Sequence, residues 1–206
     1  MCKPEESSEK VFPVLLTSKP FGGGCMAGDE ILSIKLYDVL KQEARIMDLE
    51  EYVMGAVAYA IPPEFPKEAL KAQAICSRTL IVKRMKVFGG TGCKRQPDFD
   101  ICTDPMHCQG FMDEEERRKK WGSRYEEYTQ KIKQAVEETA EIILVYNDNP
   151  IEAVYHTACG GNTEDSENVW GNKVSYLRRV ECIYCKDSPY WKTVKSFSIR
   201  ELKRRL

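Results

Sequence analysis

No stretch of this 206-residue sequence is apolar for long enough to cross a bilayer. The longest uninterrupted run, residues 53–61, is about half of the ~18 residues a spanning helix needs, and the opening MCKPEESSEK has no apolar core of a signal peptide. A surplus of either charge is missing too. The 31 Lys and Arg stand against 32 Asp and Glu, so the net charge is -1 and there is no electrostatic case for nucleic acid as a partner. No internal repeat occurs, which sets aside solenoids and propellers. Cysteine is too sparse for a disulfide scaffold: nine residues are roughly 4% of the chain, against ~8–10% in such proteins. An odd count cannot pair fully within one chain, so at least one thiol is free or ligating. What remains is a globular composition, 42% hydrophobic and 31% charged, long enough for one core of roughly 150 residues with an appended lobe.

Patterning divides the chain into a flexible N-terminal segment, residues 1–29, and an α+β domain of helices and antiparallel hairpins, residues 30–206. Alternation over 30–37 and the shorter run 43–47 predict a hairpin. Asp48 with Glu51 three residues on is a helix-start signal, and Leu49, Val53, Ala56 and Ala60 recur at helical spacing until Pro62 and Pro63 end the helix. Pro66 opens a second helix, so apolar over 69–82 that it should be buried nearly all round; Arg78 inside it needs a partner. Residues 89–109, rich in Gly, Pro, Asp and Cys, read as a long ordered loop of the kind that carries a site or a staple. A charged helix from Asp113 breaks near Gly122, and Ser123 with Glu126 should cap the next one, with Tyr128, Ile132, Ala135 and Val136 as its apolar face. Runs 141–146 and 151–156 around Asn147-Asp148-Asn149-Pro150 predict a second hairpin. A polar loop follows from the paired Gly160 and Gly161, and a basic helix over 198–206 ends the chain.

Two blocks, LEEYVMGAVAYAIPPEFPKEALKAQAICSRT (residues 49–79) and YHTACGGNTEDSENVWGNKVSYLRRV (155–180), resemble the stage II sporulation protein D family, and the likeness covers roughly residues 30–195. It implies a peptidoglycan lytic transglycosylase that helps an engulfing membrane move around a forespore, acting on its extracytoplasmic face. The implied partners are peptidoglycan glycan strands and other engulfment proteins at the membrane. No organic cofactor is expected. The likeness places Gln73, Ser77 and Arg78 on one wall of an extended glycan cleft, and Tyr155, His156, Gly160 and Gly161 on the other, where backbone amides beside the glycines would hold N-acetyl groups. Arg78 has an equally good structural reading, satisfying helix ends and loop carbonyls.

Two features depart from the family pattern. Members carry Glu at the position of Ala60, in Glu-Met-Pro or Glu-Ile-Pro before the second helix, and that Glu is regarded as the catalytic acid. A carboxyl belongs there because a lytic transglycosylase protonates the glycosidic oxygen, then takes the proton from the sugar 6-hydroxyl as the 1,6-anhydro ring closes. At a helix C-terminus the macrodipole opposes ionisation, so a carboxyl there would hold its proton until it is needed. Alanine has none to give. The chain is thus read as an inactivated member, by engineering or in nature, with Glu64 as a weak substitute. The alternative is a non-catalytic member that binds glycan or activates an amidase. The second departure is extent: members have a membrane anchor before this region and a later stretch with Gly-His-Gly and Gly-Met-Ser-Gln, and these 206 residues contain neither.

Cys102 and Cys108, six apart around TDPMH, resemble a zinc-binding insertion of members from anaerobic spore formers. Those have His where this chain has Gln96, so Cys93 is the expected third ligand, with His107 as its alternative. Free thiols or a Cys102–Cys108 bridge are the competing reading. Cys182 and Cys185 have metal-ligand spacing that also suits a local staple.

Overall fold

The computed structural model describes residues 32–188, 191 and 194–205, and the backbone of Phe12–Leu15. The fold is α+β, and its contacts cluster into two compact units, Met1–Val154 and Tyr155–Leu206.

In the first unit, β1 (Phe12–Leu15) and β2 (Ser33–Asp38) belong to different three-stranded sheets. β2 is the centre of its sheet. Ile34 and Leu36, two apart, are fully buried on one face, as the period of a strand requires. β2 pairs antiparallel with β3 (Glu43–Asp48), from Ser33 opposite Asp48 to Asp38 opposite Glu43. The turn between them is tied by Asp38, whose carboxylate accepts from the backbone N–H of Leu40 (3.0 Å) and Lys41 (3.1 Å).

Asp48 then caps α1 (Leu49–Ala60), its side chain accepting from Glu51 N at 3.0 Å, and the helix stops before the two prolines as expected. α2 (Lys67–Arg84) starts directly after Pro66, and only Glu68 and Ala72 along it are exposed. On the far side of β2 runs the short parallel strand β4 (Ile101–Cys102). The residue after α2's cysteine-rich loop that opens α3 (Glu114–Trp121) is Asp113, which makes a reciprocal capping box with Glu116. A 3₁₀ turn, Gly122–Arg124, feeds straight into α4 (Tyr125–Glu137), which buries Tyr125, Tyr128, Ile132, Ala135 and Val136. The expected cap from Ser123 and Glu126 does not form: Ser123 lies inside the turn, not ahead of the helix, and no side chain caps α4.

β5 (Ile142–Tyr146) pairs antiparallel with β1 and with β6 (Asn149–Pro150). Two expectations are corrected here. Residues 12–15, read as part of a flexible segment, form β1, because FPVL supplies a β-competent partner for the free edge of β5, with Phe12 opposite Val145 and Leu15 opposite Ile142. The rest of 1–29, with Cys2, Cys25 and residues 22–24, lies outside the described residues. The second hairpin is tighter than expected, with Asn147 (φ 48°) and Asp148 (φ 58°) alone making the turn, a left-handed conformation that Asn and Asp tolerate. Its return strand ends at Pro150, and Ile151 N donates back to Leu144 O at 3.1 Å.

α2 is the central element, packed on α1, α4 and β5, and the buried apolar core of Val53, Ala56, Val57, Leu70, Ala74, Ile81, Ile132 and Ile143 fills the space between them. In the second unit, α5 (Ser166–Trp170) and α6 (Ile199–Arg205) are short; α6 is opened by reciprocal bonds between Ser198 and Glu201. Among the described residues no helix is long and apolar enough to cross a membrane.

One close approach ties α1 to the chain that follows the cysteine-rich loop. Met112 N donates to Gly55 O (3.1 Å), and the Phe111 ring, stacked on Tyr52, fills the space a Cβ of Gly55 would need, with ring atoms at 2.2, 2.6 and 2.9 Å. Alanine is the better helix former by about 1 kcal/mol, yet overpacking costs about 1–3 kcal/mol, and three overlapping ring atoms put this site at the upper end. Gly55→Ala should therefore lower the midpoint of thermal unfolding; a rise would show that the strap over α1 yields freely.

Candidate functional site

The last turn of α1 places Ala60 half-buried at the helix C-terminus, followed by the linker 61–66. α4 holds that linker from outside. Lys131 Nζ donates to Pro63 O (2.8 Å) and Phe65 O (2.7 Å), and the Tyr128 hydroxyl donates to Glu64 Oε1 at 2.5 Å. The Tyr128 hydrogen bond, helped by Glu64's own backbone N–H, holds the Glu64 carboxyl below the usual carboxylate range. Glu64 is therefore ionised at neutral pH and committed to Tyr128, which removes it as a substitute proton donor.

Of the residues expected on the first wall, Gln73 is half-buried and Ser77 and Arg78 are fully buried. Arg78 corrects the substrate-binding expectation. Its guanidinium has no exposed surface; Nε and Nη2 form a two-point pair with Glu50 (2.7 and 2.5 Å), Nη1 donates to Ile142 O (3.2 Å) and Nη2 to Val136 O (3.3 Å). It ties the start of α1 to the end of α4 and the start of β5, which is the structural reading. Ser77 is likewise internal: its hydroxyl oxygen accepts from Gln73 Nε2 (3.2 Å) and Gln109 Nε2 (3.0 Å), while Gln109 Oε1 accepts from Tyr52 OH (2.9 Å). Burying polar groups without partners is costly, so this ladder stands as a unit with Gln73 as its half-exposed end.

Gln109 ends the cysteine-rich loop, and the loop is stitched to β2 at both sides. Asp100 accepts from Lys35 N (2.9 Å) and Lys86 N (3.1 Å), and Thr103 Oγ1 accepts from Val39 N (3.1 Å). Between these stitches four side chains converge: the His107 Nδ1 atom lies 3.6 Å from Cys93 Sγ, 3.5 Å from Cys102 Sγ and 3.2 Å from Cys108 Sγ, and Cys108 Sγ is 3.7 Å from Cys93 Sγ. A tetrahedral zinc ion with Zn–S near 2.3 Å and Zn–N near 2.05 Å sets its ligand atoms about 3.8 Å (S···S) and about 3.6 Å (S···N) apart. The donor set fits. Burial and the nearby Arg95 and Arg84 push His107 below its ordinary value, so its imidazole is neutral, the form that ligates. Burial, reinforced by the adjacent thiols, pushes the Cys102 thiol up to about 12. None of the seven described cysteines is in a disulfide. The expected three-cysteine set is thus brought together, and His107, weighed as a replacement for Cys93, joins it as a fourth group.

The second unit holds Tyr155, His156, Gly160 and Gly161. Tyr155 and His156 are exposed. Gly160 (φ 66°) and Gly161 (φ 109°) turn the chain sharply. Arg178 pairs with Asp165 and Glu167 (both 2.7 Å) and holds the Glu167 carboxyl down at about 2. Sequence reasoning missed that Cys159 meets Cys182 and Cys185; a lone CxxC gives no hint of a third thiol 23 positions before it.

These features define an α+β chain built on a buried central helix, with a thiol- and imidazole-lined loop fastened to its sheet. Residues 39–146 match the family model described as Stage II sporulation protein, SpoIID, and the chain belongs to that family. It is 37% identical over 175 residues to stage II sporulation protein D of Bacillus subtilis (strain 168) and 34% identical over 175 residues to that of Bacillus amyloliquefaciens, in each case 85% of this chain and 50% of the relative. It is also 32% identical over 123 residues to an amidase enhancer of Bacillus subtilis (strain 168), covering 60% of this chain and 14% of that protein. The chain thus spans about half the length of the stage II sporulation D proteins it matches.

The Arg78 pair yields a direct test. Removing one partner of a buried pair costs about 3–5 kcal/mol, and Glu50 is one-third exposed, so Arg78→Ala should cost about 3 kcal/mol. At roughly 2–4 °C per kcal/mol for a chain of this size, the thermal midpoint falls by about 6–12 °C. An unchanged midpoint in thermal denaturation would contradict the structural role.

Proposed function

We propose that this chain is the glycan-handling region of a peptidoglycan lytic transglycosylase that works in forespore engulfment, on the extracytoplasmic face of the engulfing membrane, and that Ala60 leaves it without its acid. The observation that carries this reading is the setting of position 60. It ends a helix whose dipole disfavours an anion, it is half-buried, and α4 grips the linker that follows it at Glu64, Pro63 and Phe65. A carboxyl there would keep its proton for the glycosidic oxygen and then accept the proton of the sugar 6-hydroxyl as the anhydro ring closes. Glu64, the carboxylate nearest in sequence, is ionised and held by Tyr128, so it gives no proton. Glycan strands are the substrate class, and Gln73, the half-exposed end of the polar ladder, is the first-unit group best placed to meet one.

The chain as it stands should sediment with purified peptidoglycan and release no 1,6-anhydromuropeptides, and Ala60→Glu should switch release on. A positioned general acid contributes about 10²–10⁴ in rate, which muropeptide chromatography resolves easily. Release of anhydro products by the unaltered chain would refute the reading. The similarity to an amidase enhancer supports a second one, a member that binds glycan and stimulates an amidase without cutting. Peptidoglycan binding with no cleavage by Ala60→Glu, together with stimulation of an added amidase, would favour it.

We also propose that Cys93, Cys102, His107 and Cys108 hold one structural zinc ion. Their spacing suits tetrahedral coordination, and the loop they belong to has little apolar content of its own to fold it. The ion would fix Gln109–Met112, the strap that lies on α1 one turn before position 60. Protein purified without chelator should carry zinc that is lost from this loop in Cys102→Ser, and the thermal midpoint should fall on treatment with a chelator. Zinc content unaffected by Cys102→Ser, or a Cys102–Cys108 disulfide found by peptide mass mapping, would replace the ion with free thiols or an oxidised staple.

A further inference from the structure

The second unit, Tyr155–Leu206, faces a physical difficulty that the first does not. Among its described residues only Ser166 is buried, and no apolar side chain is. Val169, Trp170, Val180, Ile183, Tyr184 and Ile199 are all exposed. A segment of this size cannot offset its conformational entropy without burying apolar surface or being stapled by a disulfide or a metal. Its fold is nevertheless specific. Asn162 bridges Glu181, Thr163 N donates to Val180 O (2.9 Å) and Cys182 N donates to Gly161 O (2.9 Å), which draws the 159–163 turn against 180–182.

Where those two stretches meet, three sulfurs gather. Cys159 Sγ is 3.5 Å from Cys185 Sγ, Cys182 Sγ is 3.8 Å from Cys185 Sγ, and all three lie within 4.8 Å of one another, each half-buried. None is in a disulfide, whose sulfurs would be about 2.05 Å apart. The separations are instead close to the ~3.8 Å edge of a tetrahedron of thiolates around zinc. The backbone is shaped to the same end. Cys182 to Cys185 folds as a knuckle that runs into the 3₁₀ turn Tyr184–Asp187. The positive φ at Gly160 and Gly161 lets the chain reverse immediately after Cys159, and the Trp191 indole edge occupies the space a Cβ of Gly161 would fill, 2.8 Å away.

We propose that Cys159, Cys182 and Cys185 bind a second zinc ion, with the fourth corner of the tetrahedron left to solvent or an exogenous ligand, and that this ion takes the place of a hydrophobic core in the second unit. Zinc is favoured over harder cations because three thiolates form a soft donor set, and magnesium or calcium would need oxygen ligands. The site is distinct from the loop around His107, since all three ligands belong to the other unit.

Native mass spectrometry of the full chain, purified under reducing conditions without chelator, should show two zinc ions. Cys182→Ser should retain one, and a variant with Cys93, Cys102 and Cys108 all changed to Ser should also retain one. The unaltered chain supplies a second readout that does not depend on any variant folding. Titration with cobalt(II) should give thiolate-to-cobalt charge-transfer bands that saturate at two equivalents, and chelator should expose residues 155–206 to limited proteolysis. A chain that binds one equivalent and keeps it in Cys182→Ser would overturn the proposal. So would a loss of 2 Da in peptides containing Cys159, Cys182 and Cys185, which would identify a disulfide, or an unchanged cleavage pattern after chelation.

Discussion

Arg78 is a permanent charge with no contact to water, and its four hydrogen bonds are the condition for its being there. Through Glu50 it fixes the first turn of α1, through Val136 O the last turn of α4, and through Ile142 O the first residue of β5. A hydrophobic residue in its place could support as much stability, because desolvating an ion pair offsets most of its attraction. What the guanidinium adds is direction: a planar fork meets its carboxylate in one geometry, so α1 cannot rotate or slide against α2 without leaving a charge unpaired. α1 is a continuous helix, and holding Glu50 at its start also holds position 60, about 15 Å along the axis at 1.5 Å per residue.

The other end of α1 is held by different means. The Phe111 strap presses on Gly55, Gly110 packs so closely on Tyr59 that a Cβ would come within 2.1 Å of the ring, and the linker after Ala60 is gripped by Tyr128 and Lys131. The strap hangs from the cysteine-rich loop, which is itself fastened to β2 by Asp100 and Thr103. Position 60 is thus approached from three directions by groups whose own positions are fixed by burial or pairing. That degree of support is what a proton-transfer site requires, where a misplacement of about 1 Å can cost 10²-fold in rate.

Local signals made much of this legible. The Asp48 cap, the Pro62-Pro63 stop and the Pro66 start gave α1 and α2 their bounds because each acts within a turn of itself. The apolar face of α4 followed from period alone. What could not be read was pairing between distant residues. That Arg78 meets Glu50, 28 positions away, decides between a ligand contact and a structural tie, and no spacing rule encodes it. The same holds for Phe12–Leu15, whose strand exists because β5 has an open edge, and for Cys159 joining Cys182 and Cys185. His107 was visible as a ligand type, but its place beside Cys93 instead of in exchange for it depends on the turn from Asp104 to Cys108, where Cys108 N reaches Asp104 O at 2.8 Å.

The claim on which the functional reading turns is that the fold prepares position 60 for a protonated carboxyl, and the acidity of a carboxyl placed there reports this without reference to turnover. In Ala60→Glu, a heteronuclear NMR titration of the introduced side chain should give a pKa above the ordinary ~4.3 of glutamate, because half-burial and the C-terminal end of α1 both disfavour its anion. A value at or below that of free glutamate would mean that the end of α1 is an ordinary solvated surface, and the reading of position 60 as the seat of an acid would be contradicted.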